Sequence, residues 1–147
     1  MKKSILVGAI GILSITALNA QKKVDDVINN LDSESEAYGA IAQNIWDFAE
    51  MGYQEEKSSA LLQKALSDAG FSIKTGVAGI PTAFIAEYGS GAPIIGIMGE
   101  YDALPGLSQQ AVAEKKSAGK AAGHACGHHL FGTASTAAAI ATKDWMV

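Results

Sequence analysis

The chain reads as an α/β protein, on three observations. Apolar residues recur at helical spacing through the first third; near Phe71 the period changes to short alternating or continuous apolar runs bounded by Gly or Pro; and an alanine-rich helical segment closes the chain. With 147 residues, 48% hydrophobic and 18% charged, it has the length and composition of one domain able to bury a core.

The first twenty residues stand apart from that domain. Lys2 and Lys3 precede the apolar run Ile5 to Leu18, and small Ala20 precedes Gln21, the pattern of a secretory leader with its cleavage site. The alternative, a membrane anchor, calls for about 20 apolar residues, more than this run offers. The sequence therefore predicts a signal peptide over 1–20, export to a periplasmic or secreted location, and no stable membrane span after leader cleavage. Without Lys2 and Lys3, nine lysines face fifteen acidic residues. There is no arginine and the lysines are scattered, so the chain lacks the concentrated basic footprint a nucleic-acid partner requires.

Within 21–147, a polar stretch from Asp25 to Glu36 precedes a helix carrying Ile41, Ile45, Trp46, Phe48 and Ala49, with Gly52 as its stop signal. A second helix is predicted from about Glu55 to Ala69, with Ala60, Leu61, Ala65 and Leu66 inward and Gly70 closing it. FSIKTGV and TAFIAEY read as strands. Ile94 to Met98 reads as a central strand buried on both faces, joined to the preceding strand by a hairpin at YGSGAP. No G-x-G-x-x-G opens a helix, so this turn is not a dinucleotide fingerprint. Sites in open α/β sheets gather at the carboxyl ends of strands, which draws notice to GEYDALPG, Gly99 to Gly106. A long polar loop from Leu107 to Gly123 follows, then a helix from Leu130 to Trp145 whose small residues suit close packing.

At the entrance to that helix, GHACGHH, Gly123 to His129, holds all three histidines and the lone cysteine. Thiolate and imidazole are good ligands for a divalent ion, and Cys126 and His128, two apart between glycines, can face one ion. Two other readings stay open. Cys126 can be an inert buried thiol beside surface histidines, or a nucleophile activated by a histidine, although such dyads are normally assembled from residues distant in sequence. A lone cysteine in an oxidising compartment has no internal disulfide partner. A catalytic metal needs at least three protein ligands, and His124, His129, Glu100 and Asp102 are the candidates to supplement the pair. The bland roles for these are a helix cap for His129 and hydrogen-bonded loop carboxylates for Glu100 and Asp102.

GEYDALPGLSQQ and GHACGHHLFGTASTAAAIATKDW together resemble the metal-dependent amidohydrolases of the M20 peptidase family, and IWDFAEMGYQEEKSSALLQKALSDAGF and GIPTAFIAEYGSGAP extend the likeness over nearly all of 21–147. The resemblance implies the N-terminal portion of a zinc-peptidase-like three-layer catalytic domain, helices on a mixed β-sheet, with a lid or dimerisation domain and the remainder of the catalytic domain elsewhere. It implies a divalent cofactor, Mn2+ or Zn2+, as two ions in a complete enzyme. The implied activity is hydrolysis of the amide bond of N-acyl or N-aroyl amino acids or dipeptide-like substrates, by an enzyme that is a homo- or hetero-oligomer. Carried onto this sequence, Cys126 and His128 are metal ligands and Asp102 supports them from behind.

The departures are specific. Many members have His-x-Asp where this chain has Glu100-Tyr101-Asp102, and many amidohydrolases have Asp where His129 stands. The general-base glutamate of relatives follows beyond the span present here, and Glu114 is in the wrong place to replace it. The 147-residue chain, read as an N-terminal fragment, is expected to be inactive on its own; the alternative is a non-catalytic chain that binds metal or associates with a subunit.

Overall fold

The computed structural model describes residues 21 and 23–147; the leader expected over 1–20 lies outside the described residues. Residues 23–33 form helix α1, where a polar connecting stretch was expected. The pattern that supports it is Val24, Val27, Ile28 and Leu31, spaced three and four apart beneath the acidic and amide residues. Glu34 breaks the register, and α2, Ser35–Phe48, continues almost without interruption because the Tyr38 amide still donates to the Glu34 carbonyl at 3.0 Å. Its end comes at Ala49, in a left-handed conformation at φ 47°, ahead of the Gly52 stop expected from the sequence.

Helix α3, Glu56–Asp68, matches the prediction within a residue. Its start is satisfied from the preceding turn. The Glu50 carboxylate accepts the Lys57 amide at 3.0 Å, the Ser58 amide at 2.9 Å and the Ser58 hydroxyl at 2.8 Å, placing negative charge where the helix dipole favours it. The buried line is Ser58, Ser59, Leu62 and Leu66, rotated from the expected face, and Ala60 is exposed. Two serines can face inward because each hydroxyl has a partner, Ser59 donating to the Thr82 carbonyl at 2.6 Å. Gly70 closes the helix as expected, with φ 90°.

Strands β1, Ser72–Thr75, and β2, Phe84–Glu87, pair antiparallel with Thr75 opposite Phe84, so the hairpin lies between them. YGSGAP forms no hairpin, and residues 94–98 form no strand. A strand buried on both faces needs a ladder neighbour at each edge; among the described residues none pairs with this run, and Ile94, Ile95, Ile97 and Met98 are all exposed. The second small sheet joins β3, Leu104–Pro105, to β4, Ala122–Gly123, across the long loop. A single parallel bridge links Met51 to Ala103.

The final helix, α4, His128–Met146, begins two residues before the expected start. Helices α2, α3 and α4 pack on one another and α3 also covers the β1–β2 hairpin, giving an α/β domain of helices on small sheets. Ile45 and Leu62 are fully enclosed at its centre, with Ala42, Leu66 and Ala137 around them. Among the described residues no helix is long and apolar enough to cross a membrane.

At Gly132, α4 lies almost against the segment that follows residues 94–98. A Cβ there would sit 2.9 Å from the Glu100 carbonyl oxygen and 3.1 Å from Tyr101 Cβ. Gly132→Ala should therefore cost about 1–3 kcal/mol of unfolding free energy. By contrast Gly39→Ala, inside α2 with nothing within 4 Å of the added methyl, should gain about 0.5–1 kcal/mol. Urea unfolding followed by tryptophan fluorescence checks both; equal effects of one sign would contradict the packing described.

Candidate metal centre

The site is built where residues 98–103 cross the N-terminal half of α4. The Ser135 hydroxyl donates to the Met98 carbonyl at 2.6 Å, and the Ala103 amide donates to the Glu50 carbonyl at 2.7 Å, so the segment is tied at both ends. Gly127, left-handed at φ 84°, turns the chain into the helix, and its amide donates to the His124 carbonyl at 3.0 Å. A residue with a Cβ disfavours that conformation, which is the reason for glycine between Cys126 and His128. His128 is thereby the first residue of α4, directed at the Glu100–Asp102 segment.

His128 meets both carboxylates. Its Nδ1 lies 2.7 Å from Asp102 Oδ1 and its Nε2 lies 3.1 Å from Glu100 Oε2. Donor atoms of all three residues fall within 4.8 Å of one another, forming a group able to hold a metal ion. The imidazole side chain is 17% exposed while Glu100 is 47% exposed, so the cluster is walled by protein on the histidine side and open on the Glu100 side. A neutral ring has one N–H. If Nδ1–H donates to Asp102, Nε2 presents a lone pair toward Glu100, and two facing acceptors repel unless a proton or a cation lies between them. The 3.1 Å separation is that of neighbouring donors on one ion held at about 2.1 Å, so the donor set fits a divalent cation.

The remaining histidines take different places. His124 is buried, and its Nε2–H donates to the Ile45 carbonyl at 3.0 Å, pinning the loop to the end of α2. His129 packs edge-on against Trp46 with ring centroids 4.9 Å apart, and lies 5.2 Å from the His124 ring. The Nδ1 atoms of both are buried without hydrogen-bond partners, and neither ring joins the carboxylate cluster. Cys126 is exposed in the turn just ahead of the helix and is not one of the clustered donors. Glu100, given only a supplementary place by sequence reasoning, is a direct neighbour of His128.

Burial holds the His124 pKa below its ordinary value; the hydrogen bond to Ile45 opposes this, His128 pushes it further down and Asp102 draws it back up. His129 is lowered first by burial and then by His124. Both rings resist protonation in the folded state, so the unfolded chain takes up protons first as pH falls below about 6.5. The stability they confer is complete above that pH and is lost as pH falls toward their folded values. Urea midpoints should therefore decline between neutral and mildly acidic pH, and His129→Asn should flatten the decline.

No known family profile matches the chain. Curated relatives do. The B subunit of the p-aminobenzoyl-glutamate hydrolase of Escherichia coli (strain K12) is 46% identical over 125 residues, covering 84% of this chain and 25% of the relative. The Xaa-Arg dipeptidase of Mus musculus is 30% identical over 124 residues, 77% of this chain and 25% of the relative. The IAA-amino acid hydrolase ILR1-like 5 of Arabidopsis thaliana is 34% identical over 105 residues, 71% of this chain and 23% of the relative. The chain spans about a quarter of the length of these relatives. The identity and the metal-compatible cluster agree: over most of its length this chain is homologous to the B subunit of the aminobenzoyl-glutamate hydrolase, a protein of the M20 family.

Proposed function

We propose that the chain is the N-terminal part of an exported M20-type metal-dependent amidohydrolase that cleaves the amide bond between an acyl or aroyl group and an amino acid. The observation that carries this is the His128 imidazole set between Asp102 and Glu100 at the entrance to α4. The relatives support the substrate class, since their names describe hydrolases of an aminobenzoyl-glutamate, a dipeptide and an amino-acid conjugate. In this reading the helices and the β1–β2 hairpin belong to a three-layer catalytic domain, and the leader over 1–20 directs export.

The residues then divide the work. His128 supplies Nε2 as a ligand, and Asp102 fixes the ring by accepting its Nδ1 proton, the arrangement that orients metal-bound histidines. Cys126, two residues earlier on the same turn, supplies a thiolate. Glu100 contributes a carboxylate from the open side. A divalent ion, Mn2+ or Zn2+, when bound supplies Lewis-acid polarisation of the scissile carbonyl and lowers the pKa of water. Two such ions belong to the complete enzyme, as does its oligomeric assembly.

A second reading is a non-catalytic chain that binds metal or associates with a subunit, and the exposed run from Ile94 to Met98 favours it, because unpaired apolar strand edges seek partners. The first reading puts a catalytic metal at His128 within a longer protein and the second puts no catalysis there, while neither expects activity from these 147 residues alone. Purified 147-residue chain supplied with Mn2+ or Zn2+ is expected to release no 4-aminobenzoate from aminobenzoyl-glutamate; metal-dependent release would refute that expectation and the second reading together.

Metal retention tests the ligands themselves. Asp102→Asn should weaken binding by about 10–100-fold, and Cys126→Ser should sharply reduce the bound metal, both read by chelator competition and elemental analysis. Unchanged stoichiometry in Cys126→Ser would remove Cys126 from the ligand set.

A further inference from the structure

Tyr101 stands between the two carboxylates of the site and points the other way. In an extended segment successive side chains alternate, so with Glu100 and Asp102 facing His128, the Tyr101 ring enters the interior beneath them. There its hydroxyl donates to the Thr82 carbonyl at 2.6 Å and lies 3.4 Å from Ser59 Oγ. The surroundings are a closed polar network. Ser59 donates to the same Thr82 carbonyl, and the Thr82 hydroxyl donates to the buried Glu55 carboxylate at 2.7 Å. Phe84 of β2 stacks on the Tyr101 ring with centroids 6.1 Å apart, and Gly132 of α4 lies against its Cβ.

We infer that Tyr101 is the positioning residue of the metal centre: by fastening the middle of the Glu100–Asp102 segment to the Thr82 carbonyl, it sets the separation and direction of both carboxylates around His128. The inference rests on the metal-centre reading above and extends it to a residue that touches neither the ion nor His128. The physical reason is leverage. The segment belongs to no sheet, and its backbone ties lie at Met98 and Ala103. Between those ties the deep side-chain anchor is the Tyr101 hydroxyl. A rotation of the segment about its two ends would move Glu100 and Asp102 together away from the imidazole, and the Tyr101 hydrogen bond opposes that rotation.

Tyr101→Phe removes the hydroxyl and keeps the ring. Thr82 retains Ser59 as its donor, so no buried carbonyl is orphaned and the chain should still fold. Ser59→Ala is the paired control: it takes a hydrogen bond from the same carbonyl and leaves the Tyr101–Thr82 bond in place, losing from the site segment only the 3.4 Å contact between the two hydroxyls. Two quantities are read in the full chain: the 15N-detected Nδ1–H resonance of His128 in metal-free protein, and Zn2+ affinity by chelator competition.

Tyr101→Phe is expected to broaden or shift the His128 Nδ1–H signal and to weaken Zn2+ binding by about 10-fold. Ser59→Ala should leave both near wild type, although it lowers the melting temperature by at least as much. Wild-type values for both quantities in Tyr101→Phe, or equal changes in the two variants, would overturn the positioning role. If the wild-type chain takes up no Zn2+, the metal-centre reading fails, while the metal-free His128 signal still decides whether Tyr101 orients the carboxylates.

Discussion

The contact between Gly132 and the Glu100–Tyr101 backbone is the constraint on which the site depends. Helix α4 can carry His128 to the carboxylates only if it lies almost in backbone contact with the segment that bears them, and a single methyl at Gly132 would intrude on the Glu100 carbonyl at 2.9 Å. Leu62 Cδ1, at 3.2 Å from the same point, shows that the approach is also the meeting place of α3 and α4. One close contact therefore fixes both the core and the separation between imidazole and carboxylate. The alanine and threonine face of α4, with Thr133, Thr136 and Ala137 buried, permits that approach along the rest of the helix.

Three histidines within six residues acquire three physical characters because the loop and the helix start turn them in different directions. His124 is consumed by the fold, its N–H spent on the Ile45 carbonyl. His129 faces Trp46 and His124, and burial together with His124 holds its pKa below the ordinary value. His128 alone meets carboxylates. Chemistry needs a group whose lone pair can be directed at a ligand, and of the three only His128 has one nitrogen held by an acceptor and the other aimed at an open side.

Much of this could be read from the residues, for reasons that are physical. The ends of α3 and α4 follow from Gly70 and from the glycine-bracketed turn before His128, because left-handed turns have few alternatives. The Glu100–Asp102 segment was legible as a candidate site because it follows an apolar run, and its two carboxylates do lie beside His128. What was not legible depended on tertiary partners. Helix α1 hides in a mostly polar stretch and carries only four large apolar residues, Val24, Val27, Ile28 and Leu31, and the run Ile94 to Met98 has strand chemistry but, among the described residues, no strand beside it. The Glu50 cap on α3 and the Tyr101 anchor on Thr82 join residues 7 to 19 positions apart through side chains that no local pattern marks. The inner face of α3 was misjudged for the same reason, since buried serines become acceptable only once Glu50 and the Thr82 carbonyl are in place.

The ties along residues 94–103 fall at Met98 and Ala103, with none on the run before them among the described residues. Asp102 is next to Ala103, whose amide is bound to Glu50, which in turn is bound to α3. Glu100 is next to Gly99, which rests on Ser135, and from Met98 back to Ile94 the chain has four exposed apolar side chains and, among the described residues, no ladder partner. Asp102 is thus one residue from the second tie and Glu100 two residues from the first, with the exposed apolar run beginning on the Glu100 side. A strand paired alongside residues 94–98 would bury apolar surface and restrain Glu100 at the same time.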